Sequence, residues 1–351
     1  MKIFTTFVSY PIILIGIVFS QNAMAENLGN EIPVGTKSFI FDQAPGNRKV
    51  AAEIWFETTS AYPEKSFSFR APFRSIMIAK NAEPAITQKK PLVVISHGNW
   101  GTEYSQAWLA IGLVKKGYIV MTVKHPGTMA DDQTVSGRLR LWDRANDVTH
   151  ALNKILLDQT FKNLINIEKI GFAGHSFGGW TGISLAGGKF DPLVQKKFCE
   201  KNIDLDFYCK NILLDDVSGI NIDDSKNSFK DSRIKAFYVM GTGPSQGFSE
   251  ESLKEIRRPV FVDTAQFDEV LSPTVNSTYL AKMIPGSTET IRPAGHFVYV
   301  PVCKTFIGPV ITFALGLPVC KDPSEVDRSF YHDRIIEDVD KFFRNALNSK
   351  N

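Results

Sequence analysis

The 351-residue chain lacks the features that mark several classes of protein. Its formal net charge is only +3, and it contains no basic run suited to binding nucleic acid. The sequence motifs G-x-G-x-x-G, P-loop, H-E-x-x-H and EF-hand loop are all missing. We therefore expect no nucleic-acid partner and no metal or other cofactor.

The apolar run at residues 12–19 is too short to span a bilayer as a helix. It follows Lys2 and precedes Ala23-Met24-Ala25, which is the order of a secretory signal peptide. We predict cleavage after Ala25, leaving residues 26–351 as a single domain without a stable membrane anchor. An uncleaved anchor is the alternative. The protein is expected to be exported, either periplasmic or secreted.

Cysteine is scarce, and all four residues follow the predicted signal peptide: Cys199, Cys209, Cys303 and Cys320. An even number of cysteines in an exported chain indicates disulfides. Three pairings are possible, and we favour the local one, Cys199 with Cys209 and Cys303 with Cys320. A zinc site is disfavoured because there is neither a C-x-x-C sequence nor a nearby pair of histidines.

Strand-like apolar runs alternate with helical patterns along the chain. This alternation predicts an α/β fold with a mostly parallel central sheet and helices on both faces. Strands are predicted at 38–42, 50–56, 74–78, 91–96, 118–123, 169–173, 234–240, 259–263 and 289–292. Helices are predicted at 103–116, 138–157, 178–186, 273–283 and 327–347. Residues 187–232 interrupt the alternation, and we interpret them as a cap-like insertion.

Residues 174–178 read Gly-His-Ser-Phe-Gly, the G-x-S-x-G pattern, directly after a predicted strand and before a predicted helix. This context is typical of a sharp turn that exposes a nucleophilic serine. Bulky side chains at the two glycine positions would clash with the neighbouring backbone. The pattern predicts Ser176 as a nucleophile. It also predicts that the turn directs the backbone N–H of Phe177 toward the atom that Ser176 attacks.

A serine hydroxyl needs a base to take its proton and an acid to orient that base. On the fold that carries this turn, the order along the chain is Ser, then Asp or Glu, then His. His296 is the only histidine between Ser176 and His332, and it follows the last predicted strand. We predict His296 as the base, whereas His332 lies inside the final helix and is expected to be structural.

Asp268 follows the predicted strand at 259–263 and is our candidate for the acid. Glu269, its neighbour, is a minor rival. Asp215 and Asp216 are further alternatives, since they follow the apolar run at 212–214. The strand that precedes the one at 259–263 is, however, better assigned to 234–240 than to 212–214. The strand at 234–240 ends without a carboxylate.

The second donor for an oxyanion is predicted to be the backbone N–H of Asn99, in the loop after the strand at 91–96. His97 and His175 are expected to brace their loops. Arg144 and Asp147 lie three residues apart on a predicted helix, so we expect an exposed or half-buried ion pair between them.

These segments together resemble the α/β-hydrolase superfamily, and within it the predicted dienelactone-hydrolase group related to platelet-activating-factor acetylhydrolase. The resemblance covers residues 35–347 and weakens at 187–232. The matching segments are 95–98, 173–179, the loop around Asp268, 294–297 and the stretch from Cys320 to His332. It implies an α/β-hydrolase fold with a Ser-Asp-His triad.

The chain departs from that group in two places. Dienelactone hydrolases use a cysteine nucleophile, whereas this chain has Ser176. The acetylhydrolases take their acid from one strand earlier, where this chain has residues 241–243, Gly-Thr-Gly.

The sequence therefore predicts an exported serine carboxylic-ester hydrolase. Its substrate would be a small-molecule or lipid ester, cleaved through an acyl-enzyme. A serine peptidase of the same fold is the first alternative, and a non-catalytic binding protein that kept the fold is the second. No pattern specifies the oligomeric state, the acyl length or the alcohol group.

Overall fold

The apolar runs of the sequence become the central strands of one large sheet in the computed structural model, which describes residues 32–212, 220–304 and 308–349. The predicted signal peptide at 1–25 and the alternative acids Asp215 and Asp216 lie outside the described residues. The strands are β1 Val34–Ala44, β2 Arg48–Glu57, β3 Lys65–Phe67, β4 Ile76–Lys80, β5 Lys90–Ser96, β6 Ile119–Lys124, β7 Thr128–Met129, β8 Asp132–Gln133, β9 Ile165–His175, β10 Ile234–Met240, β11 Val260–Ala265 and β12 Thr288–Arg292.

The helices cover the two faces of this sheet. They are α1 Ala107–Lys115, α2 Val135–Leu139, α3 Trp142–Ile155, α4 Phe177–Ala186, α5 Pro192–Lys201, α6 Phe207–Ile212, α7 Glu250–Lys254, α8 Ser277–Met283, α9 Gly308–Leu315 and α10 Arg328–Asn348. Short 3-10 helices lie at Ile222–Lys226, Pro273–Val275 and His296–Tyr299. Among the described residues, no helix has the length and apolar character needed to cross a membrane.

The main sheet has the strand order β12-β11-β10-β9-β5-β6-β2-β1-β4-β3. Its centre, from β12 to β6, is entirely parallel, and antiparallel pairs occur only at β2 with β6, β1 with β2 and β3 with β4. The strands predicted at 38–42 and 50–56 are confirmed as parts of β1 and β2, which form an antiparallel pair. The mostly parallel sheet is therefore confirmed.

Side chains of the central strands alternate between two apolar cores. In β5, Leu92 and Val94 belong to the core that contains residues of α3, α4 and α8. Val93 and Ile95 belong to the core that contains residues of α1 and α10. A strand buried on both faces reads as a continuous apolar run, which is why the sequence reveals these strands so clearly.

The helix predicted at 138–157 is wrong as a single element, because it is divided into α2 and α3. Thr134 caps α2 by accepting a hydrogen bond from the N–H of Gly137. Gly137 lies so close to the preceding loop that a Cβ there would come within 2.2 Å of the carbonyl oxygen of Gly127. Gly137 of α2 thus packs directly against this loop, and α2 ends at Leu139, before α3 begins at Trp142. The strands β3, β7 and β8 and the helices α7 and α9 have no counterpart in the sequence prediction.

The four cysteines form two disulfides. Cys199 at the end of α5 pairs with Cys209 in α6, and Cys303 pairs with Cys320. This is the local pairing that the sequence favoured. The first bridge holds the two helices of the insertion together, and the second closes a loop around α9.

We predict that replacing Cys199 and Cys209 together by serine will lower the free energy of unfolding by about 2–4 kcal/mol. The bridge joins residues separated by 10 positions and restricts the unfolded chain. Urea denaturation measures this loss. The Cys303→Ser, Cys320→Ser variant, whose bridge spans 17 positions, is the matched comparison. Unchanged stability of both variants would contradict the bridges.

Candidate active site

Ser176 occupies the sharp turn between β9 and α4. Its backbone angles, φ 58° and ψ −120°, lie where non-glycine residues are rare. The Ser176 N–H donates to the carbonyl oxygen of Met240, at the end of β10, at 2.9 Å. A Cβ at Gly174 would come within 2.2 Å of the Gly178 carbonyl oxygen. The turn therefore requires the glycine that the sequence pattern provides.

His296 begins the short 3-10 helix that follows β12, and it is joined to Asp268. Its Nδ1 lies 2.7 Å from Asp268 Oδ2, and both side chains are almost fully buried. The other oxygen of Asp268 accepts from the backbone N–H groups of Val270 and Leu271, at 2.9 and 2.7 Å. The carboxylate is thus fixed by its own loop on one side and faces the imidazole on the other.

Glu269, the neighbouring candidate for the acid, makes a different contact. Its Oε2 accepts from the backbone N–H of His296 at 3.1 Å rather than from the imidazole ring. Burial raises the pKa of Glu269. The structure therefore brings Asp268, and not Glu269, to the ring of His296.

The serine and the His–Asp pair lie at the same carboxyl edge of the sheet. Met240, which accepts from Ser176, is followed by Gly241, where a Cβ would lie 3.4 Å from Asp268 Oδ2. The rings of His175 and His296 are 4.7 Å apart between centroids. The order of strands explains this convergence, since β9, β10 and β11 are neighbours whose carboxyl ends share one edge.

The loop after β5 approaches the serine from the other side. A Cβ at Gly98 would be 3.0 Å from the Cβ of Ser176. Within the described residues, the backbone N–H of Asn99 has no hydrogen-bond acceptor, and neither has that of Phe177 at the first turn of α4. Two unpaired donors beside a serine hydroxyl are what an oxyanion hole requires.

Three of the four histidines around the serine are electrically neutral. Burial holds the pKa of His97, His125 and His175 well below the ordinary value, and nearby positive groups add to the effect. Burial also acts to lower the pKa of His296, but the carboxylates of Asp268, Glu269 and Asp206 outweigh it and raise the pKa. Of these four histidines, His296 alone has a raised pKa.

Arg144 differs from its sequence prediction, because it is buried and forms no ion pair with Asp147. The guanidinium donates to the carbonyl oxygen of His97 and to the hydroxyls of Ser96, Thr128 and Thr181. Burial lowers the pKa of Arg144 to about 9, so the group stays charged at neutral pH. The carbonyl of His97 immediately precedes the Gly98–Asn99 turn, and Arg144 therefore holds that turn in place.

Asp147 has other partners than the predicted one. It accepts from Arg48 at 2.8 Å and lies 3.1 Å from Nδ1 of His125, whose Nε2 is 2.9 Å from the hydroxyl of Ser96. His97 completes the network, since its Nε2 accepts from the N–H of His125 and its Nδ1 lies 2.6 Å from the Gly98 carbonyl oxygen. A signal for this burial exists in the sequence. Arg144 lies three residues after Leu141 and four before Val148, within the apolar stripe of the helix.

His332 has the structural position that the sequence predicted. It lies in α10, its ring stacks on Trp108 with centroids 3.9 Å apart, and its Nε2 lies 2.9 Å from the carbonyl oxygen of Val298. Burial lowers its pKa to about 3.

The insertion at 187–232 contacts the loop that carries Asp268. Asp206, just before α6, accepts from the N–H of Ser272 at 3.0 Å and from the N–H of Cys209 at 2.8 Å. The N–H of Tyr208 donates to the carbonyl oxygen of Val270 at 3.2 Å. These contacts attach α6 to the loop that carries Asp268. The sequence analysis did not identify Asp206 as a residue of the site.

In the described ranges, no group of three or more His, Cys, Asp or Glu side chains is arranged to hold a metal ion. No family model matches the chain, and no curated protein matches it significantly.

Comparison of the fold with solved structures finds a ferulic acid esterase from Streptomyces cinnamoneus. The TM-score is 0.55 over 91% of each chain, at 18% sequence identity. A dienelactone hydrolase from Anabaena variabilis has a TM-score of 0.49, over 89% of this chain and 99% of that chain, at 11% identity. The similarity to the esterase shows that the chain has the α/β-hydrolase fold that the sequence predicted.

We predict that Arg144→Ala will lower the free energy of unfolding by about 2–4 kcal/mol, because it leaves buried acceptors without a donor. Arg344→Ala is the control. Its guanidinium is largely exposed and paired with Asp340, so the expected loss is within about 1 kcal/mol. Urea denaturation of both variants measures the difference. Equal losses would show that the buried network contributes no more than a surface ion pair.

Proposed function

We propose that the protein is a serine carboxylic-ester hydrolase with the triad Ser176, His296 and Asp268. One observation carries the proposal: a serine in a strained turn lies at the same sheet edge as a buried histidine bonded to a carboxylate at 2.7 Å. Strained backbone of this kind is concentrated at functional sites. The fold is shared with a solved esterase, which supports the hydrolysis of an ester.

In the proposed reaction, His296 Nε2 takes the proton of Ser176 as the serine oxygen attacks the carbonyl carbon of the ester. The N–H groups of Asn99 and Phe177 donate to the oxygen that becomes negative. Protonated His296 then gives its proton to the departing alcohol, which leaves an acyl group on Ser176. A water molecule, deprotonated by the same His296, attacks that acyl group. As the bond from the acyl carbon to the Ser176 oxygen breaks, His296 returns the proton to this oxygen and the acid is released.

Asp268 has two tasks in this scheme. By accepting from Nδ1 it keeps the proton off Nε2, so that Nε2 is free to act as the base. Its negative charge also stabilises the imidazolium that forms when Ser176 attacks. The raised pKa of His296 agrees with both tasks.

The insertion at 187–232 is proposed to form one wall of the acyl or alcohol pocket. The ring of Tyr208 in α6 lies edge-on to the ring of Phe177, with centroids 6.2 Å apart. Phe177 directly follows the nucleophile, so this wall would begin next to the reacting atoms. Export, directed by residues 1–25, is part of the same proposal and agrees with the presence of two disulfides.

We expect Asp268→Asn to lower kcat on p-nitrophenyl esters by about 10⁴-fold with the fold intact, and Ser176→Ala to abolish covalent labelling by a fluorophosphonate probe. Glu269→Gln is the matched control for the acid, and most of its turnover should remain.

A large loss in Glu269→Gln or Asp216→Asn in place of Asp268→Asn would reject our choice of the acid. Faster cleavage of aminoacyl-arylamides than of esters would indicate a peptidase. Absence of labelling in the unmodified protein would indicate a binding protein.

The pKa of His296 gives a second prediction. The base must be neutral, so kcat/KM should fall as the pH drops through this raised pKa, with a midpoint above the ordinary value of 6.5. Glu269→Gln removes a nearby negative charge and should move the midpoint to lower pH. Glu337→Gln, which alters an exposed carboxylate paired with Lys116, should leave it in place. An unchanged or upward-shifted midpoint in Glu269→Gln would contradict the electrostatic assignment.

A further inference from the structure

The loop closed by the second disulfide has an unusual composition. Residues 305–320 contain no charged residue, and most of them are apolar. Lys304 stands immediately before this stretch and Lys321 immediately after it. We refer to residues 303–320 as the apolar loop.

The helix in the apolar loop, α9, presents apolar side chains to solvent. Phe313 is 92% exposed, the highest value among the large hydrophobic residues of the described chain, and Val310 is 66% exposed. The two are three positions apart on a helix and therefore share one face. Exposed apolar side chains that share one face are suited to contact with an apolar surface outside the protein.

The base of the loop is firmly attached to the domain. The disulfide joins Cys303 to Cys320, and the buried guanidinium of Arg328 donates to the carbonyl oxygens of Pro301 and Val319 at 3.1 and 3.0 Å. The two ends of the loop are thus held at one point. The exposed helix α9 therefore belongs to a segment that is attached at both ends.

Three cations surround that base. Lys304 and Lys321 are exposed, and so is Arg74, whose backbone N–H donates to the carbonyl oxygen of Val302 at 2.9 Å. Within the described residues, none of the three forms an ion pair. The carboxylate of Asp322, next to Lys321, is occupied by Arg328 at 2.9 Å.

We propose that the apolar loop docks the protein on an anionic lipid surface. The face of Phe313 and Val310 enters the boundary between headgroups and acyl chains, and the cations at the base contact the lipid phosphates. A second copy of the chain fits less well, because a two-fold contact places each patch against itself and would bring the three cations against their equivalents. This docking does not depend on the proposed catalytic reaction.

The loop is also near the candidate active site. It begins shortly after the helix His296–Tyr299, and Phe73, beside Arg74, pairs with Cys303. Arg70 in the same segment donates to the carbonyl oxygen of Trp100 at 2.8 Å, next to Asn99 of the candidate oxyanion loop. Docking would therefore hold that edge of the sheet close to the lipid.

The test is co-sedimentation of the full chain with vesicles of equal parts phosphatidylcholine and phosphatidylglycerol. Every protein carries Ser176→Ala, so that hydrolysis cannot alter the vesicles. We expect Phe313→Ser to lower the partition coefficient by about tenfold or more. Leu157, just after α3, is 75% exposed, and Leu157→Ser should leave the partition coefficient unchanged.

The charges are tested separately. Lys304→Gln with Lys321→Gln should weaken binding and reduce its dependence on salt, whereas Lys89→Gln with Lys201→Gln, the same change in net charge elsewhere, should not. Failure of the parent protein to bind, or equal binding of Phe313→Ser and Leu157→Ser, would overturn the proposal. So would a parent dimer that Phe313→Ser converts to a monomer, because the face would then be covered by a second copy.

Discussion

The close approach of α4 to the central strands constrains Ser176 and the loop after β5. A Cβ at Gly178 would lie within 2.0 Å of the carbonyl oxygen of Ser96, at the end of β5. This contact leaves Ser176 no room for a relaxed backbone, and its N–H is held by Met240 of β10. Ser176 is therefore positioned by the packing of helix on sheet. Its strain can be relieved only by separating elements that bury much of the core.

A second consequence of that packing is the buried charge of Arg144. The loop after β5 must turn next to Ser176, and its carbonyl groups face a layer that the helices close to water. A guanidinium with five donors satisfies acceptors on both sides, with Ser96 and His97 on one and Thr181 of α4 on the other. Desolvating a cation costs free energy, and several hydrogen bonds together offset that cost. The same helix layer thus holds both Ser176, the proposed nucleophile, and the loop proposed to bind the oxyanion.

Local patterns were sufficient for much of the fold and for the candidate residues. Buried parallel strands are apolar throughout, and the glycines of the elbow follow from steric limits that operate within a few residues. For Arg144 the prediction was wrong because it used the three-residue spacing to Asp147, whereas the apolar stripe of the helix that contains Arg144 indicates burial. The contact of Asp206 with Ser272 joins segments 66 residues apart, and no local pattern encodes it. The exposure of α9 was also missed, since an apolar stretch usually predicts burial.

The contact of Asp206 with Ser272 joins the insertion at 187–232 to the loop that carries Asp268. Three carboxylates raise the pKa of His296, and one of them, Asp206, comes from the insertion. Asp206 lies between Cys199 and Cys209, so the disulfide that holds α5 to α6 also limits where this charge can move. The charge of Asp206 thus couples this insertion to His296, the proposed base. If a change in residues 187–232 moves the Asp206 carboxylate away from His296, one of the charges that raise the pKa of His296 is lost.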